Sequence, residues 1–587
     1  MLSQFRQLSI SKTRKNIAKN YLLWYNKIMD IKKEIAKSIK FDFSFLDANI
    51  EDLIIESISA DKGDFCLPCF SMAKVLKNSP QNIAAEIQKT VELGGVVEKC
   101  EIIAGYLNFF INKTEVSKLI INEMSSATLT YDNGQNKTIC IDYSSVNLAK
   151  YMHIGHLKNT IIGESMARIC EALGYKVVRI NYIGDYGTPF GKIIAAYELW
   201  GNKEDVDNRG IDALQDLYVK FNQEADEKLD ERAREIFKLV EQKDAHYYPI
   251  YQWIIEIAIK EARRLLDILG VKFDSWRGEA YYSDKLNEVV DDLTSKGLTQ
   301  ISEGALVVNL DEYNMSPCLI RRTDGASLYA TRDIAAAIDR YNTYKFDQMF
   351  YVTGHEQMLH FKQFFKVLEL AGYDFAKNLE HIHYGLFSLP TGRISSRKGK
   401  QATLVDLMAI AQNNAEEVIK DREFSILSPE EVATKVARST LNFNALKVEV
   451  GKDCVFDIDK AFSFEGETAP YMQYSFTRIE SILRKVDISN SAAADYSVLD
   501  NVDAFELVKA CNETYKTILL AFNKREPSVI VKKAMDICKL LNKFYATTKV
   551  LSGSDSEIKA KVEVLITVKK VLEKLFHIMC IDTLKEM

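Results

Sequence analysis

The chain has 587 residues, a length that suggests about three or four domains. Hydrophobic residues make up 47% and charged residues 27%, and the formal net charge is −6. These values are ordinary for a globular protein, and they exclude a disordered chain, a collagen-like chain and a small disulfide scaffold. No stretch has the roughly 18 uninterrupted apolar residues that a membrane span needs.

The first 28 residues form a basic segment with six Lys or Arg residues and no Asp or Glu. Such a composition is typical of an organelle transit peptide, but it also fits a solvated tail or a mis-assigned start. Because a clean amphipathic helix pattern begins near Met29, we favour the last two interpretations together over the first. Residues 1–28 are therefore left out of the fold prediction.

Residues 29–134 are predicted to form a small mixed α/β domain. Two helical patterns alternate with two short β-rich runs, in the ranges 30–39, 81–93, 100–103 and 107–111. A polar run at 131–136 is rich in turn-forming residues and marks the boundary with the next domain.

Residues 135–469 are predicted to form a doubly wound parallel sheet of the Rossmann type. An apolar strand at 138–143 is followed by a helix from about residue 155, which Gly174 ends, and by a second strand at 176–180. This order gives a β-α-β unit, the building block of such sheets.

The rest of the chain is mainly helical by pattern. A charged helical insertion without strands is predicted near 203–270, strands return at 305–310 and 348–352, and strands end by about residue 405. Residues 470–587 are predicted to form an all-α helical bundle. The fold class is therefore α/β, with a small α/β domain before the parallel sheet and a helical domain after it.

The ten cysteines are scattered, which is typical of a reducing compartment. Only Cys66 and Cys69 have the spacing of a metal or redox pair, and no second ligand pair accompanies them. We therefore predict two half-buried thiols and no zinc site.

Two histidines lie where the first predicted strand of the sheet meets its helix. His153 and His156 bracket Gly155, and Lys150 precedes them. A helix N-terminus attracts anions through its dipole and its free N–H groups. Because imidazoles can donate to phosphate oxygens and the glycine leaves room for a flat base, the pattern predicts a nucleotide site.

A second segment, residues 391–400, has four cations and no acids, and it includes the hydroxyls of Ser395 and Ser396. A glycine-bounded basic loop can close over a polyphosphate and neutralise a departing pyrophosphate. Taken by itself, the run fits a solvated surface loop better than it fits a loop that binds phosphate.

Two further segments add polar groups beside predicted strands or helices. If residues from about 329 are helical, Tyr329 and Asp333 lie one turn apart on one face. Gln357 follows the strand at 348–352, where doubly wound sheets place their ligands.

Together these segments resemble the arginine–tRNA ligase family, which belongs to the class I aminoacyl-tRNA synthetases. Residues 153–156, His-Ile-Gly-His, match the HIGH box of that class. The arginine-specific members of that class have motifs that resemble three stretches of this chain, residues 142–156, 329–333 and 357–361. Four motifs in the family's order argue against a chance match.

The resemblance extends to both flanking regions. Residues 62–90 resemble the N-terminal domain of the family, which binds the tRNA elbow, and residues 471–479 resemble the start of its helical anticodon-binding domain. This implies an elbow-binding domain at 29–134, a catalytic domain at 135–469 and an anticodon-binding domain at 470–587.

One signature departs from the class pattern. The Lys-Met-Ser-Lys-Ser motif stands here as Arg-Ile-Ser-Ser-Arg at 393–397, so Ser396 replaces the second lysine. Arginine enzymes often show this change, and a lysine just before the HIGH box is thought to compensate. Lys150 occupies that position, and the role of Lys398 stays open.

The resemblance implies two reaction steps. The arginine carboxylate attacks the α-phosphate of ATP to give arginyl-adenylate and pyrophosphate, and the 3′-terminal ribose of the tRNA then takes the arginyl group. Mg²⁺ would enter with ATP, and no prosthetic group or zinc is implied. The residues expected at the reacting phosphates by family position are Lys150, His153, Gly155, His156, Ser395, Ser396, Arg397 and Lys398.

Arginine recognition requires carboxylates, because a guanidinium is a planar fork of donors. By family position the arginine-binding residues are Asp142, Ser144, Asn147, Tyr329, Asp333 and Gln357. Alternatives stay open: Asp142 could cap a turn, and Asp333 could pair with neighbours of Arg332. Two oriented carboxylates would discriminate against lysine, so no editing domain is expected.

Candidate tRNA contacts carry weaker signals. Asn108 and Phe109 or Phe110 could meet an unpaired base, although core aromatics fit these positions better. Tyr474 and Arg478 are the corresponding candidates in the helical domain. His360, one turn from Gln357, is a candidate for indirect support of the site.

The resemblance also implies a cytoplasmic monomer with arginine tRNA, L-arginine and ATP as partners and no membrane; import into an organelle through residues 1–28 is the alternative. Two other functions stay open. One is a small-molecule adenylyltransferase or amino-acid ligase on the same fold, and the other is a catalytically silent tRNA-binding paralogue. The tRNA-type flanking domains disfavour the first, and the intact HIGH box disfavours the second.

Overall fold

A computed structural model describes five stretches of the chain: residues 30–57, 59–323, 329–390, 403–487 and 493–587. The basic segment 1–28 lies outside the described residues, as do the predicted phosphate-loop residues Ser395, Ser396, Arg397 and Lys398. The predictions made for them therefore stay predictions.

The chain divides into two compact units, and neither is one continuous stretch. The first unit combines the residues up to Leu129 with Arg478–Lys516 and Met535–Glu573. The second unit combines Thr130–Thr477 with Thr517–Ala534 and Lys574–Met587.

The first unit contains a four-stranded antiparallel sheet in the order β1-β2-β4-β3. Its strands are β1 (Ile55–Glu56), β2 (Phe65–Pro68), β3 (Val97–Ile103) and β4 (Tyr106–Ile111). Ala104 and Gly105, both with positive φ, form the two-residue turn between β3 and β4. Such turns match the twist of an antiparallel pair, and the strands predicted at 100–103 and 107–111 are confirmed.

Helices surround this sheet and make up the rest of the first unit. Near the sheet they are α1 (Ile31–Ser38), α2 (Ile50–Leu53), α3 (Phe70–Leu76), α4 (Pro80–Gln88) and α5 (Lys113–Ser126). Asn112 caps the start of α5 by accepting from the Glu115 amide. At the other end, the Lys570 ammonium donates to the carbonyls of Met124 and Ser125, each at 2.9 Å.

The second unit is built on a parallel sheet in the order β11-β10-β5-β6. Its strands are β5 (Thr138–Asp142), β6 (Lys176–Ile180), β10 (Gln348–Gly354) and β11 (Leu379–Tyr384). Helix α6 (Ile154–Ala172) joins β5 to β6, and Gly174 with φ 80° ends the connection, as the sequence pattern predicted. A side chain at Gly163 would lie 2.2 Å from the Tyr143 ring, so only glycine lets α6 pack this closely.

The helical insertion predicted near 203–270 is confirmed as four helices without a strand, and α7 (Thr188–Trp200) precedes it. The four are α8 (Lys203–Arg209), α9 (Ile211–Glu224), α10 (Glu227–Glu241) and α11 (Tyr247–Ile268). The strand predicted at 305–310 forms, but in a separate three-stranded antiparallel sheet, β7-β8-β9. These strands are β7 (Thr299–Ser302), β8 (Ala305–Val308) and β9 (Cys318–Arg321), and α12 (Leu286–Ser295) precedes them.

The remaining helices of the parallel-sheet region include α13 (Tyr329–Tyr344) and α14 (Met358–Leu370) around β10. The prediction that strands end by about residue 405 is wrong, because the two-residue strand β13 (Cys454–Val455) pairs in parallel with β12 (Phe387–Ser388). Two residues are too few to give a periodic pattern in the sequence.

The chain after residue 403 is otherwise helical in its described part. Its helices are α15 (Leu404–Ile419), α16 (Pro429–Leu446), α17 (Ile458–Ala461), α18 (Ala469–Leu483), α19 (Val502–Asn512), α20 (Thr514–Lys524), α21 (Ser528–Thr547) and α22 (Asp555–Ile578). Beyond α22, the Glu586 carboxylate accepts from the amides of residues 425–427 and from the Ser425 hydroxyl. This segment is thereby fixed to the loop between α15 and α16.

Two other features are absent from the described residues. None of the helices found there is both long and apolar enough to cross a bilayer. The same residues contain no group of three or more His, Cys, Asp or Glu side chains that could hold a metal ion. Cys66 and Cys69 are free, buried thiols.

Candidate active site

The site begins where β5 ends. Ser144 and Ser145 both have positive φ, at 70° and 47°, so two successive non-glycine residues adopt the left-handed conformation. The Asn159 side chain accepts from the Ser144 amide at 3.0 Å, and the Thr160 hydroxyl donates to the Ser144 hydroxyl at 3.0 Å. Helix α6 therefore holds a strained turn in place, and strained turns of this kind cluster at functional sites.

His153 and His156 form a reciprocal cap at the start of α6. The Gly155 amide donates to His153 Nδ1 at 3.1 Å, and the His153 amide donates to His156 Nδ1 at 3.0 Å. The two ring centroids lie 4.0 Å apart. A side chain at Gly155 would lie 2.9 Å from the His153 ring, so the motif requires glycine here.

Both imidazoles are neutral at physiological pH. Burial and then proximity to His153 lower the pKa of His156 to about 3, and burial and then the Lys150 charge lower the pKa of His153. Because each Nδ1 accepts a hydrogen bond, we assign the single proton of each neutral ring to Nε2. The cap thus leaves an Nε2–H donor on each ring for an anion.

Lys150 and Thr403 flank these histidines. Lys150 is exposed, and its ammonium makes no hydrogen bond or ion pair with any described residue. Thr403, the first described residue after 402, forms a backbone bridge with His153, and the Leu404 amide donates to the Met152 carbonyl at 2.8 Å.

An open cleft of about 1460 Å³ lies in front of this cap. Asn147, Lys150, His153, His156 and Thr403 line one side, and helices α8, α9 and α11 of the insertion line the other. The Asn147 side chain is exposed and accepts from the Ala149 amide at 3.0 Å. A cleft of this size can admit a nucleotide and a second substrate.

Asp142 is buried at the end of β5 and already has a cationic partner. Arg340 Nη2 lies 2.8 Å from Asp142 Oδ2, and the Ser145 hydroxyl donates to Oδ1 at 3.0 Å. Only 4% of Asp142 and 2% of Arg340 are exposed. The guanidinium facing Asp142 therefore belongs to this chain.

Asp333 lies on α13 and is more open. Its Oδ2 lies 2.5 Å from His360 Nε2, and about 20% of its side chain is exposed. No other hydrogen bond to Asp333 occurs among the described residues. Tyr329, one turn before it, is 67% exposed, and Gln357 is exposed at the start of α14. The helix predicted from about residue 329 is confirmed.

Three known protein families match consecutive parts of the chain. The catalytic domain of class I tRNA synthetases (R) matches residues 115–458, the DALR anticodon-binding domain matches 472–587, and the arginyl-tRNA synthetase N-terminal domain matches 29–111. An arginine–tRNA ligase of Clostridium perfringens is 40% identical over 95% of this chain and 100% of its own length. The chain belongs to the arginine–tRNA ligase family.

Other relatives agree with this assignment. An arginine–tRNA ligase of Alkaliphilus metalliredigens is 41% identical over 88% of this chain and 92% of its own length. The solved arginyl-tRNA synthetase of Thermus thermophilus superposes with a TM-score of 0.75 and 22% identity, covering 91% of this chain and 96% of that one. The family and the fold class predicted from the sequence are confirmed.

In this member of the arginine–tRNA ligase family, two further carboxylates lie near Arg332, and neither was predicted from the sequence. Burial raises the pKa of Asp185 to about 6 and that of Glu279 to about 7. Arg332 Nη1 lies 3.4 Å from Glu279 Oε2, and Asp333 and Asp185 repel the Glu279 charge. Asp185 follows β6 closely, a position that the rule for ligand sites in parallel sheets could have indicated; Glu279 carries no such signal.

A test of this electrostatic environment is the substitution Glu279→Gln. A carboxyl whose pKa rises from 4.5 to about 7 on folding is destabilising above that range, so wild-type stability falls as pH increases from about 4.5 to 7. We expect a smaller decrease in the variant, because Asp185 still titrates with a raised pKa, and we expect the variant to be more stable at pH 8 by on the order of 2–3 kcal/mol.

Urea unfolding at pH 5 and pH 8 measures the difference. Glu288→Gln, which changes an exposed carboxylate of α12, is the matched control. An identical pH dependence in wild type and Glu279→Gln would show that Glu279 titrates normally in the folded protein.

The candidate tRNA contacts occupy varied environments. Asn108 is 5% exposed, and its amide donates to the carbonyls of Glu101 and Tyr106 within the sheet. Phe110 is half-buried, with Lys99 over its ring at 4.1 Å. Tyr474 is 37% exposed. Arg478 donates to the Asn542 side chain and lies over the Tyr545 ring.

Proposed function

We propose that this chain attaches L-arginine to its cognate tRNA at the expense of ATP, first forming arginyl-adenylate and then transferring the arginyl group to the 3′-terminal ribose. The observation that carries the proposal is the pair of neutral, mutually capped histidines at the N-terminus of α6. A carboxylate is already a nucleophile, so the first step needs positioning and charge neutralisation rather than a general base.

In the proposed mechanism, His153 and His156 donate from Nε2 to phosphate oxygens of ATP, and the base stacks on Gly155. Lys150 supplies the charge that Ser396 cannot. Ser395, Ser396, Arg397 and Lys398 contact the departing pyrophosphate; the backbone bridge of Thr403 to His153 supports this, because the loop ends beside the cap. Mg²⁺ accompanies ATP rather than binding in a protein cage.

The arginine pocket is proposed to lie between α13 and the strand ends. Asp333 takes the guanidinium, Tyr329 and Gln357 line the pocket, and Ser144 and Asn147 orient the α-amino end. Asp142 acts in this pocket through Arg340, given their 2.8 Å ion pair. His360 orients the Asp333 carboxylate through its short hydrogen bond.

The flanking regions complete the proposal. Residues 29–134 bind the tRNA elbow, residues 470–587 bind the anticodon, and 135–469 hold the catalytic site. Asn108, Phe110, Tyr474 and Arg478 are the proposed contacts with tRNA. The enzyme acts as a monomer in the cytoplasm.

Arginine-dependent ATP–pyrophosphate exchange, measured with and without arginine tRNA, tests the function. We expect exchange only when both arginine and its tRNA are present. Exchange with another amino acid would contradict the specificity. Absence of exchange under every condition would favour a tRNA-binding paralogue, and exchange without any dependence on tRNA would favour a small-molecule ligase.

A further inference from the structure

The segment that carries Lys150 is held by a helix of the insertion. Gln215 on α9 donates through Nε2 to the Ala149 carbonyl at 2.8 Å, and Asp212 on the same helix accepts from the Tyr151 hydroxyl at 2.7 Å. The two contacts lie on either side of Lys150. They come from residues three apart, which share one face of a helix.

The other contacts of this segment leave Lys150 itself free. On one side, the Leu148 amide donates to the Gly184 carbonyl at 3.1 Å. On the other side, the Leu404 amide donates to the Met152 carbonyl. The backbone around Lys150 is therefore fixed on both sides, and α9 adds two side-chain contacts to its immediate neighbours, beside the local bond from the Ala149 amide to the Asn147 side chain.

Gln215 is an unusual residue for its position. It is 7% exposed and lies among the buried residues of α9, which are Ala213, Leu214, Leu217 and Phe221. A buried amide is costly unless it is hydrogen-bonded, and a structural role alone would be filled better by an apolar side chain. The bond to the Ala149 carbonyl, 66 residues away, accounts for its polarity.

We infer that Gln215 and Asp212 are positioning residues for Lys150, so that the helical insertion sets the activity of the phosphate site. This inference rests on the proposed role of Lys150 in the reaction. Lys150 has no partner among the described residues, so its ammonium is placed only by its backbone and that of its neighbours. Catalysis by a positioned charge is sensitive to displacements of about 1 Å.

The test compares Gln215→Leu and Tyr151→Phe with wild type in the exchange assay with arginine tRNA. We expect kcat to fall by roughly 10- to 100-fold in Gln215→Leu, with an unchanged KM for arginine, because a small misplacement of a catalytic group costs about that factor. In Tyr151→Phe, which removes a single hydroxyl, kcat should decrease less than in Gln215→Leu. Asp212→Asn keeps the acceptor and should retain wild-type kcat, whereas Asp212→Ala should match Tyr151→Phe.

A double variant separates positioning from general stability. In a Lys150→Met background, Gln215→Leu should cause no further loss, because the group it positions is absent. The same fold loss in both backgrounds would overturn the inference, as would wild-type kcat in Gln215→Leu. Glu224→Gln is the control on the same helix, since Glu224 is exposed at the end of α9 and does not line the cleft.

Three kinds of failure remain distinguishable. Absence of exchange in the wild type would refute the proposed function. Wild-type exchange in Lys150→Met would refute the role of that lysine and, with it, the inference. Equal losses with and without Lys150, at unchanged thermal stability, would refute only the positioning role of α9.

Discussion

Asp333→Asn is expected to raise the KM for arginine by roughly two to three orders of magnitude, because removing one partner of a close charge pair typically costs about 2–5 kcal/mol. The asparagine keeps the size of the side chain and can still contact His360, but it lacks the charge that a guanidinium needs. Exchange kinetics at varied arginine and varied ATP measure the effect. The KM for ATP should stay near its wild-type value.

Asp339→Asn provides the control for this substitution. Asp339 lies on the same helix, α13, and pairs with Arg277 and Lys285. We expect the control to alter stability but not the arginine requirement. An unchanged KM for arginine in Asp333→Asn would move Asp333 out of the pocket.

His156→Asn is expected to lower kcat of the exchange reaction by about 10²- to 10³-fold, the usual loss when one donor to a developing charge is removed. An asparagine can place Oδ1 where Nδ1 accepts the His153 amide, so the cap persists. It has no group at the position of Nε2. His156→Gln has the opposite effect. Its side-chain amide nitrogen can reach the position of Nε2, but the side chain no longer accepts the hydrogen bond that forms the cap.

The pair of variants therefore separates folding from chemistry. His156→Asn should unfold near the wild-type temperature but have a low kcat. His156→Gln should unfold at a lower temperature, and its kcat should be higher than that of His156→Asn. His246→Asn, at an exposed histidine of the insertion, controls for the loss of an imidazole. Wild-type kcat in His156→Asn would show that Nε2 does not contact phosphate.

The fold could be predicted from the sequence where local patterns carry it. The hydrophobic runs at 138–143 and 176–180 enclose a helix of the right length, and parallel strands need such a crossover. β8 pairs antiparallel with β7 through the local two-residue turn at Glu303 and Gly304, whereas the pairing of β13 with β12 depends on long-range contacts between two-residue strands. Such contacts leave no periodic trace in the sequence.

The candidate site was predicted in part. The histidine cap follows from local spacing, since both hydrogen bonds span two or three residues. The partner of Asp142 could not be predicted from local spacing, because Arg340 lies far along the chain and a buried arginine is rare. A signal was present nonetheless: Arg340 is seven residues after Asp333, two helical turns along the same face. Glu279 begins the 3₁₀ helix Glu279–Lys285, which is too short to give a periodic pattern in the sequence.

The bonds that Glu586 makes to residues 425–427 have a consequence during biosynthesis. A ribosome adds about 5–20 residues per second, so the 161 residues between Ser425 and Glu586 take roughly 10–30 s to make. Over that interval the catalytic sheet has been synthesised, but its unit lacks Lys574–Met587. A nascent chain must therefore wait for residues 574–587 before this unit is complete, and a premature stop codon shortly before position 586 would remove that anchor.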